Sequence, residues 1–467
     1  MGLKKRGWAT TVAADFGGSF GRSESCVSCG ACAQVCPTGT ITLRDFAYRG
    51  RRKDCDAVID SICPICAMGC AIKVYVRTGS IVRIEGTNLE GTDGGQLCAT
   101  GRFGLPKSSE QPRVTKPMIR TGSAFREASW EEALSLVASK LKEHVKSGKT
   151  GALISSLATD EELAVFASFK EAVGLKTESY EGAVMHGFYK GVEPFAAQGA
   201  RPFTAAHNIL GADAIVLVNA DPQKILPVAA SYVRVAVIHK GAKLIYVGRD
   251  STPFPGITDL SVTDLLDPKV SEFLSVSKKP VFILGEPVLA CSGSVTKALN
   301  FAVEHKAFFE DGIGVVPLLG HSNALGSLNT VMSKDAWLGD EQEFLYVYST
   351  GLVKESSEAL SAMSSAGFTV VQTPFMVPPL TNLADVLLPA PAWFERSGHL
   401  CTLEGERRPL AKIIDPIAGL KSFGEILQTI CDKLGVKMDA PSTAPCENVF
   451  DSKISPDLAK QVQVEEV

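Results

Sequence analysis

A chain of 467 residues with 45% hydrophobic and 21% charged side chains has the composition of a folded protein, with room for roughly two to four domains at ~100–200 residues each. Its 47 basic and 51 acidic residues give a formal net charge of -4, which excludes nucleic acid and anionic membrane surfaces as electrostatically steered partners. Nine of the 13 cysteines (Cys26, Cys29, Cys32, Cys36, Cys55, Cys63, Cys66, Cys70 and Cys98) fall in the first 98 residues, an asymmetry that excludes an evenly spread disulfide scaffold.

The N-terminal run Met1-Gly2-Leu3-Lys4-Lys5-Arg6 is basic, but Thr10, Thr11 and Asp15 break up the apolar stretch that a signal peptide would need after it. No uninterrupted apolar run of ~18 residues occurs, so no transmembrane segment is expected. These signs point to the reducing cytoplasm, where clustered cysteines hold metal more readily than disulfides. Residues 1–56 are rich in Gly, Arg and Cys and poor in periodicity, as in a small module organised by a metal cluster. Residues 57–112 form a second cysteine module, in which Ala71–Val76 is strand-like and Val74–Ile84 reads as a hairpin turning at Thr78-Gly79. A connector around Pro106, Pro112 and Pro117 leads to a Ser129-x-x-Glu132 capping box and an amphipathic helix. Residues 113–438 then alternate strands and helices. Strands are predicted at Ala152–Ser156, Ala214–Asn219, Lys243–Val247, Val281–Gly285, Gly314–Leu318, Phe344–Tyr348 and Phe368–Gln372. Helices are predicted at Asp160–Val173, Leu226–His239, Ser294–His305, Ser357–Ser365 and Ser422–Leu434. Short apolar strands separated by helices imply βαβ units on a doubly wound parallel sheet, so the fold class is α/β. Residues 439–467 read as a polar tail.

Cys26, Cys29, Cys32 and Cys36, followed by Pro37, are spaced C-x2-C-x2-C-x3-C-P, the ferredoxin run for a 4Fe-4S cluster. Three thiolates two residues apart can wrap three corners of a cubane, and the small Gly30 and Ala31 let backbone amides approach it. In two-cluster ferredoxins the fourth cysteine of such a run serves the other cluster, and no second run is present. Three arrangements stay open: Cys36 closes the cube, Cys55 closes it, or a partner subunit does. Cys63, Cys66, Cys70 and Cys98 are spaced C-x2-C-x3-C-x27-C. Zinc ribbons pair two C-x2-C knuckles, whereas the x3 gap sets three thiolates around a larger object, which suits a second cubane.

The stretch from Cys63 to Gly104, ending Gln96-Leu97-Cys98-Ala99-Thr100-Gly101-Arg102-Phe103-Gly104, closely resembles the iron-sulfur domain of the molybdopterin oxidoreductase superfamily. Cys26–Thr40, Pro117–Arg120, Phe125–Ala133, Gly211–Val218, Leu383–Ala390, Phe394–His399 and Leu403-Glu404-Gly405 are similar to the large iron-sulfur G-type subunit of NADH dehydrogenase and to cytoplasmic formate dehydrogenase alpha subunits. The resemblance covers roughly residues 15–437. It implies a ferredoxin-type 4Fe-4S module (1–56), a molybdopterin-oxidoreductase-type 4Fe-4S domain (57–112) and a body of interleaved α/β domains (113–438).

Four departures from the resemblance bear on function. A catalytic member would hold Mo or W with a Cys, selenocysteine or Ser expected within Glu178–Asn208, yet no Cys lies between Cys98 and Cys291, and Met185, His186 and Tyr189 in that loop are poor substitutes. Thr100 stands where working relatives usually carry Lys, and Thr402 where Asn is common. The barrel-like C-terminal cap of catalytic relatives is not expected here, nor are the 2Fe-2S and His-and-Cys modules that usually open such chains. The expected function is therefore an electron-transfer subunit relaying electrons between two 4Fe-4S clusters. It would work within an NADH dehydrogenase-, hydrogenase- or formate dehydrogenase-like complex, beside a flavin- or NADH-binding or 2Fe-2S-bearing subunit. Molybdopterin guanine dinucleotide is not expected. The rival is a catalytic Mo- or W-pterin oxidoreductase whose cap is a separate chain, and a third reading is a scaffold with one redox-active cluster. The strand-end turn Gly241–Asp250 would touch a nucleotide in cofactor-bearing relatives, and the basic run Arg49–Lys53 reads as a docking edge or a solvated loop. Cys291 and Cys431 are expected in the core, with Cys401 and Cys446 unassigned.

Overall fold

The computed structural model describes residues 2–13, 26–44, 49, 51–87, 94–179, 183–197, 203–307, 314–330, 340–352, 356–378 and 380–441. Among the described residues of the first 56, regular structure includes an antiparallel ribbon of β1 (Gly2–Lys4) and β2 (Thr11–Ala13), and the short helix α1 (Ala31–Val35). Beyond it, β3 (Ala57–Ile62), β4 (Ala71–Arg77) and β5 (Ser80–Gly86) form an antiparallel sheet in that order. The predicted turn joins β4 to β5, with Thr78 and Gly79 at φ of 50° and 72°. Positive φ at both central residues gives the turn a twist that matches right-handed strands. Ile72, Val74 and Ile84 are fully buried beneath this sheet. A π-helical turn, Thr100–Gly104, and α2 (Leu105–Ser108) follow, and the connector is pinned where Arg113 pairs with Glu395 through bonds of 2.8 and 2.6 Å.

The body holds two sheets. β6 (Met118–Thr121) and β7 (Ala124–Glu127) form an antiparallel hairpin, and α3 (Trp130–His144) follows. Ser129 caps α3 by accepting from the Glu132 N–H, while the Glu132 carboxylate turns to Arg126, so only half of the predicted capping box forms. β8 (Thr150–Ile154), α4 (Asp160–Val173) and β9 (Lys176–Ser179) continue this first sheet, and α5 (Ala183–Ala197) leaves it. The second sheet then takes β10 (Ala214–Val218), β11 (Lys243–Val247), β12 (Leu260–Val262), β13 (Pro280–Leu284) and β14 (Gly314–Pro317), all parallel, in the order β12-β11-β10-β13-β14. Its cover includes α6 (Pro222–Ile225), α7 (Pro227–Lys240), α8 (Pro268–Leu274), α9 (Glu286–Leu289) and α10 (Ser292–Glu304). Through α11 (Ala324–Thr330) the chain returns to the first sheet with β15 (Phe344–Tyr348), α12 (Ser357–Ser365), β16 (Thr369–Thr373) and β17 (Val386–Pro389). The first sheet reads β7-β6-β17-β16-β15-β8-β9, parallel except at the hairpin edge. The hairpin β18 (Gly398–Cys401) and β19 (Arg407–Leu410), then α13 (Phe423–Leu434), complete the described chain. The second sheet is thus inserted between two halves of the first, which is the interleaving the resemblance implied.

Every residue of β10, β13 and β15 is buried, as apolar runs in a doubly covered sheet require. Where pattern reading differs from structure, packing is the reason. Glu178–Asn208, expected as a loop, contains α5, despite Gly187, Gly191 and Pro194 within it. Glycine and proline disfavour a helix in isolation. Here the glycines permit contact with α9 and α10: a Cβ on Gly187 would lie 2.4 Å from the Ala290 carbonyl carbon, and one on Gly191 2.5 Å from Val295 Cβ. Cys291 is exposed before α10 rather than in the core, while Cys431 is buried as expected. Cys446 and most of the expected polar tail lie outside the described residues.

Candidate metal centres

Cys63 follows β3, Cys66 and Cys70 lie in the loop leading to β4, and Cys98 precedes the π-helical turn. The Cys63 N–H donates to the Cys70 carbonyl at 2.8 Å and the Gly69 N–H to the Cys66 carbonyl at 3.1 Å, which draws three thiols onto one tight loop. Gly69 has φ of 53°, and a Cβ there would meet Thr402 Cγ2 at 2.6 Å. Thr402, in the β18–β19 turn, is therefore a lid on the cysteine loop. Arg408 fastens the same turn by donating to the Gly69 carbonyl at 3.1 Å. Cys98 approaches from the other side. A Cβ on Gly101 would lie 3.4 Å from Cys63 Sγ, and the Gly101 N–H points at Cys98 Sγ at 3.4 Å.

Cys63, Cys66 and Cys70 are buried and Cys98 is partly so. Burial pushes the Cys66 thiol up to about 12, and the neighbouring Cys98 adds to the effect. A thiolate in that environment needs a positive partner, and iron supplies one. Four thiols gathered beside Gly69 and Gly101, one of them strongly desolvated, are a donor set that fits a bound cluster.

The first cysteine group is more open: Cys26 is exposed, and Cys29, Cys32 and Cys36 are partly buried. Gly30 caps α1 with φ of 75°, Cys32 lies on α1, and Cys36 ends it. An Ile41 N–H and the Thr38 hydroxyl, 3.5 Å from the sulfur, bring the Cys36 thiol down to about 7. Cys55 behaves oppositely. Its thiol donates to the Arg51 carbonyl at 3.4 Å, and burial raises it. Among the described residues no three His, Cys, Asp or Glu side chains stand close enough to share a single metal ion. A four-iron cluster instead takes one thiolate per iron.

The two modules are laced together by residues that spacing alone did not single out. Gln34 donates to the Gly86 carbonyl at 2.6 Å, and Arg52, from the expected docking edge, reaches the Gln34 carbonyl at 3.0 Å and Glu85 at 2.8 Å. Arg102 Nε donates to the Cys29 carbonyl at 2.7 Å. Cys26, Cys29, Cys98, Thr100, Lys224 and Arg234 line one cleft of about 460 Å³, so both cysteine groups open onto the same space against α6 and α7.

At the C-terminal end of β8 the picture is different. Met185 is buried and His186 half-buried on the helix α5. The positive N-terminal end of α4, which attracts anions, carries Asp160, Glu161 and Glu162 instead. Asp160 pairs with Arg407 at 2.8 Å, Glu161 with Arg407 at 2.7 Å and His399 at 2.6 Å, and Glu162 with Arg396.

Residues 113–433 match the family model described as molybdopterin oxidoreductase. The chain belongs to the molybdopterin oxidoreductase family. Residues 56–108 match its Fe4S4 domain, and residues 22–42 match a 4Fe-4S binding domain. The chain is 25% identical over 457 residues to NADH-quinone oxidoreductase subunit 3 of Thermus thermophilus, covering 87% of this chain and 55% of that protein. It is 23% identical over 479 residues to the F420-dependent formate dehydrogenase subunit alpha of Methanocaldococcus jannaschii, covering 81% and 70%. It thus spans about half the length of the Thermus relative. Acetylene hydratase from Pelobacter acetylenicus shares the fold at a TM-score of 0.54 and 13% identity, over 80% of this chain and 69% of that one.

Proposed function

We propose that this chain is an iron-sulfur subunit that relays electrons between two 4Fe-4S clusters. Cys26, Cys29, Cys32 and Cys36 would hold the first, and Cys63, Cys66, Cys70 and Cys98 the second. The observation that carries this reading is the shared cleft: Cys26 and Cys29 of one group and Cys98 of the other line the same cavity. Bound clusters would supply one-electron transfer at potentials set by their charge, burial and hydrogen bonds. The chain's own part is to hold the thiolates, exclude water from the second group and lock the two modules together through Gln34, Arg52 and Arg102. For the fourth position of the first group, Cys36 is favoured over Cys55 because it ends α1, four residues after Cys32, whereas the Cys55 thiol is turned to the Arg51 carbonyl.

The body offers no thiolate for a catalytic pterin-bound metal in the stretch where one is expected. No cysteine lies between Cys98 and Cys291, and the anion-attracting end of α4 is taken by the chain's own carboxylates and their Arg and His partners. The body would serve as a docking scaffold. Its partners would be a flavin- or NADH-binding or 2Fe-2S-bearing subunit, or a hydrogenase- or formate dehydrogenase-like subunit, in the cytoplasm. No helix among the described residues is long and apolar enough to cross a membrane.

Metal analysis of anaerobically purified protein tests this reading. About eight iron atoms per chain without Mo, W or extractable pterin is the expected result. Stoichiometric pterin with Mo or W would overturn it in favour of an enzyme.

A further inference from the structure

Arg102 is fully buried, at 0% exposure, and neither of its terminal guanidinium nitrogens has a hydrogen-bond partner among the described residues. Its remaining contacts tie it to both cysteine groups. The backbone N–H donates to the Cys98 carbonyl at 3.0 Å, and Nε donates to the Cys29 carbonyl at 2.7 Å. Gly30 makes room for it, since a Cβ there would lie 2.8 Å from Arg102 Cδ.

A guanidinium stays protonated and brings five N–H donors. Burying its charge without a counter-charge is costly, so such groups are found paired. The nearby carboxylate, Glu85, is already engaged by Arg52 at 2.8 Å, by Arg83 at 3.4 Å and by the Tyr75 hydroxyl at 3.0 Å. Burial and Arg83 oppose the Arg102 charge, and Cys29, Glu85 and Cys32 favour it without meeting its two terminal nitrogens. The missing partner is therefore anionic, has several acceptor atoms and sits at the first cysteine group. A four-iron cluster with its thiolates meets that description. It is negative overall, it gains one further negative charge on reduction, and its sulfurs accept hydrogen bonds that set its potential.

We infer that the two open arms of the Arg102 guanidinium donate to the sulfur atoms of the cluster at Cys26, Cys29 and Cys32, and that this fixed positive charge raises that cluster's reduction potential. The inference rests on the reading that the first group holds a cluster.

Redox titration of the full chain, followed by electron paramagnetic resonance, tests it. In Arg102→Gln the ratio of oxidised to reduced first cluster at a fixed potential should rise at least tenfold, equivalent to about 59 mV for a one-electron couple. Arg102→Lys, which keeps the charge, should stay near the wild type, and the second cluster should shift less in both variants. An unchanged first-cluster potential in Arg102→Gln, or equal shifts in both variants, overturns the inference. Pulsed measurements on the wild-type chain carrying ¹⁵N-guanidinium arginine should show nitrogen coupling to the reduced first cluster. If Arg102→Gln loses that cluster, this coupling decides, and its absence overturns the inference. A wild-type chain with iron for one cluster only defeats the two-cluster reading and the inference with it.

Discussion

Cys36 and Cys55 are both sulfur atoms near the first cluster motif, yet their surroundings give them opposite tendencies. N–H and hydroxyl donors at Ile41 and Thr38 gather on the Cys36 sulfur at the end of α1, whereas the Cys55 thiol is turned to the Arg51 carbonyl and raised by burial. Cys36→Ala is therefore expected to lower the iron content and abolish the first cluster's resonance signal, while Cys55→Ala leaves both near the wild type. Iron lost only in Cys55→Ala would reverse the assignment. Away from the metal sites, Arg396 is buried with its guanidinium on Glu162, on the Tyr348 hydroxyl at 3.1 Å and on the Leu157 carbonyl at 2.9 Å. Arg396→Met would leave the Glu162 carboxylate without its cation, held by the Tyr348 hydroxyl and the Thr159 N–H alone. Breaking such a buried pair from one side costs about 3–5 kcal/mol, to be read from urea unfolding midpoints. The run Phe394–His399 was visible in the sequence, but the role of Arg396 was not, because its partners come from 48 and 234 residues away.

At the scale of elements, the Thr78-Gly79 turn was the most legible feature, whereas of the capping box read at Ser129 and Glu132 only the Ser129 half forms. Complete boxes form instead at Thr159 and Glu162 on α4 and at Ser422 and Glu425 on α13, which were not singled out from the sequence although each needs only residues three apart. The start of α4 also meets the β18–β19 hairpin, where Glu161 accepts from the His399 backbone and ring and from Arg407. Burial raises the Glu161 carboxyl, but the bonds from His399 outweigh it and leave the group below its ordinary range. A depressed carboxylate stabilises the fold above its unfolded-state range, and that contribution is lost as pH falls through the folded one. Denaturant titrations from pH 7 downward should thus show an acid-sensitive component that Glu161→Gln removes. The hairpin itself escaped pattern reading: β18 and β19 are four residues each, and their covering role is set by the Cys63–Cys70 loop and α4 beneath them. α5 was hidden for the converse reason, as its glycines make sense only against α9 and α10.

For the molecule as a whole, the interleaved chain path couples the two sheets, because the halves of the first sheet are separated by the entire second. The second cysteine group is continuous with the second sheet's core: Cys63, Cys66 and Cys70 pack in the same apolar cluster as Val216 and Phe282. The first group has no such backing. Removing iron with a chelator should accordingly expose Cys26–Cys36 to amide hydrogen exchange first and most, with Cys63–Gly86 less affected and β10, β13 and β15 protected throughout. Equal loss of protection across the body would show instead that the clusters stabilise the whole fold.

The sequence by itself determined what depends on near neighbours: two cysteine spacings, the α/β alternation of the body, its caps, and the Thr78-Gly79 turn. These are local because a cluster motif, a helical turn and a hairpin each close within a few residues. Only the tertiary structure decided which thiols sit in water and which in the core, that both groups open onto one cleft, and that Arg102 is buried between them with two donor nitrogens unmet. Burial and charge pairing are properties of what surrounds a side chain. At these positions the surroundings are assembled from α1, the β3–β5 sheet, α6 and α7 and the β18–β19 hairpin, segments far apart along the chain.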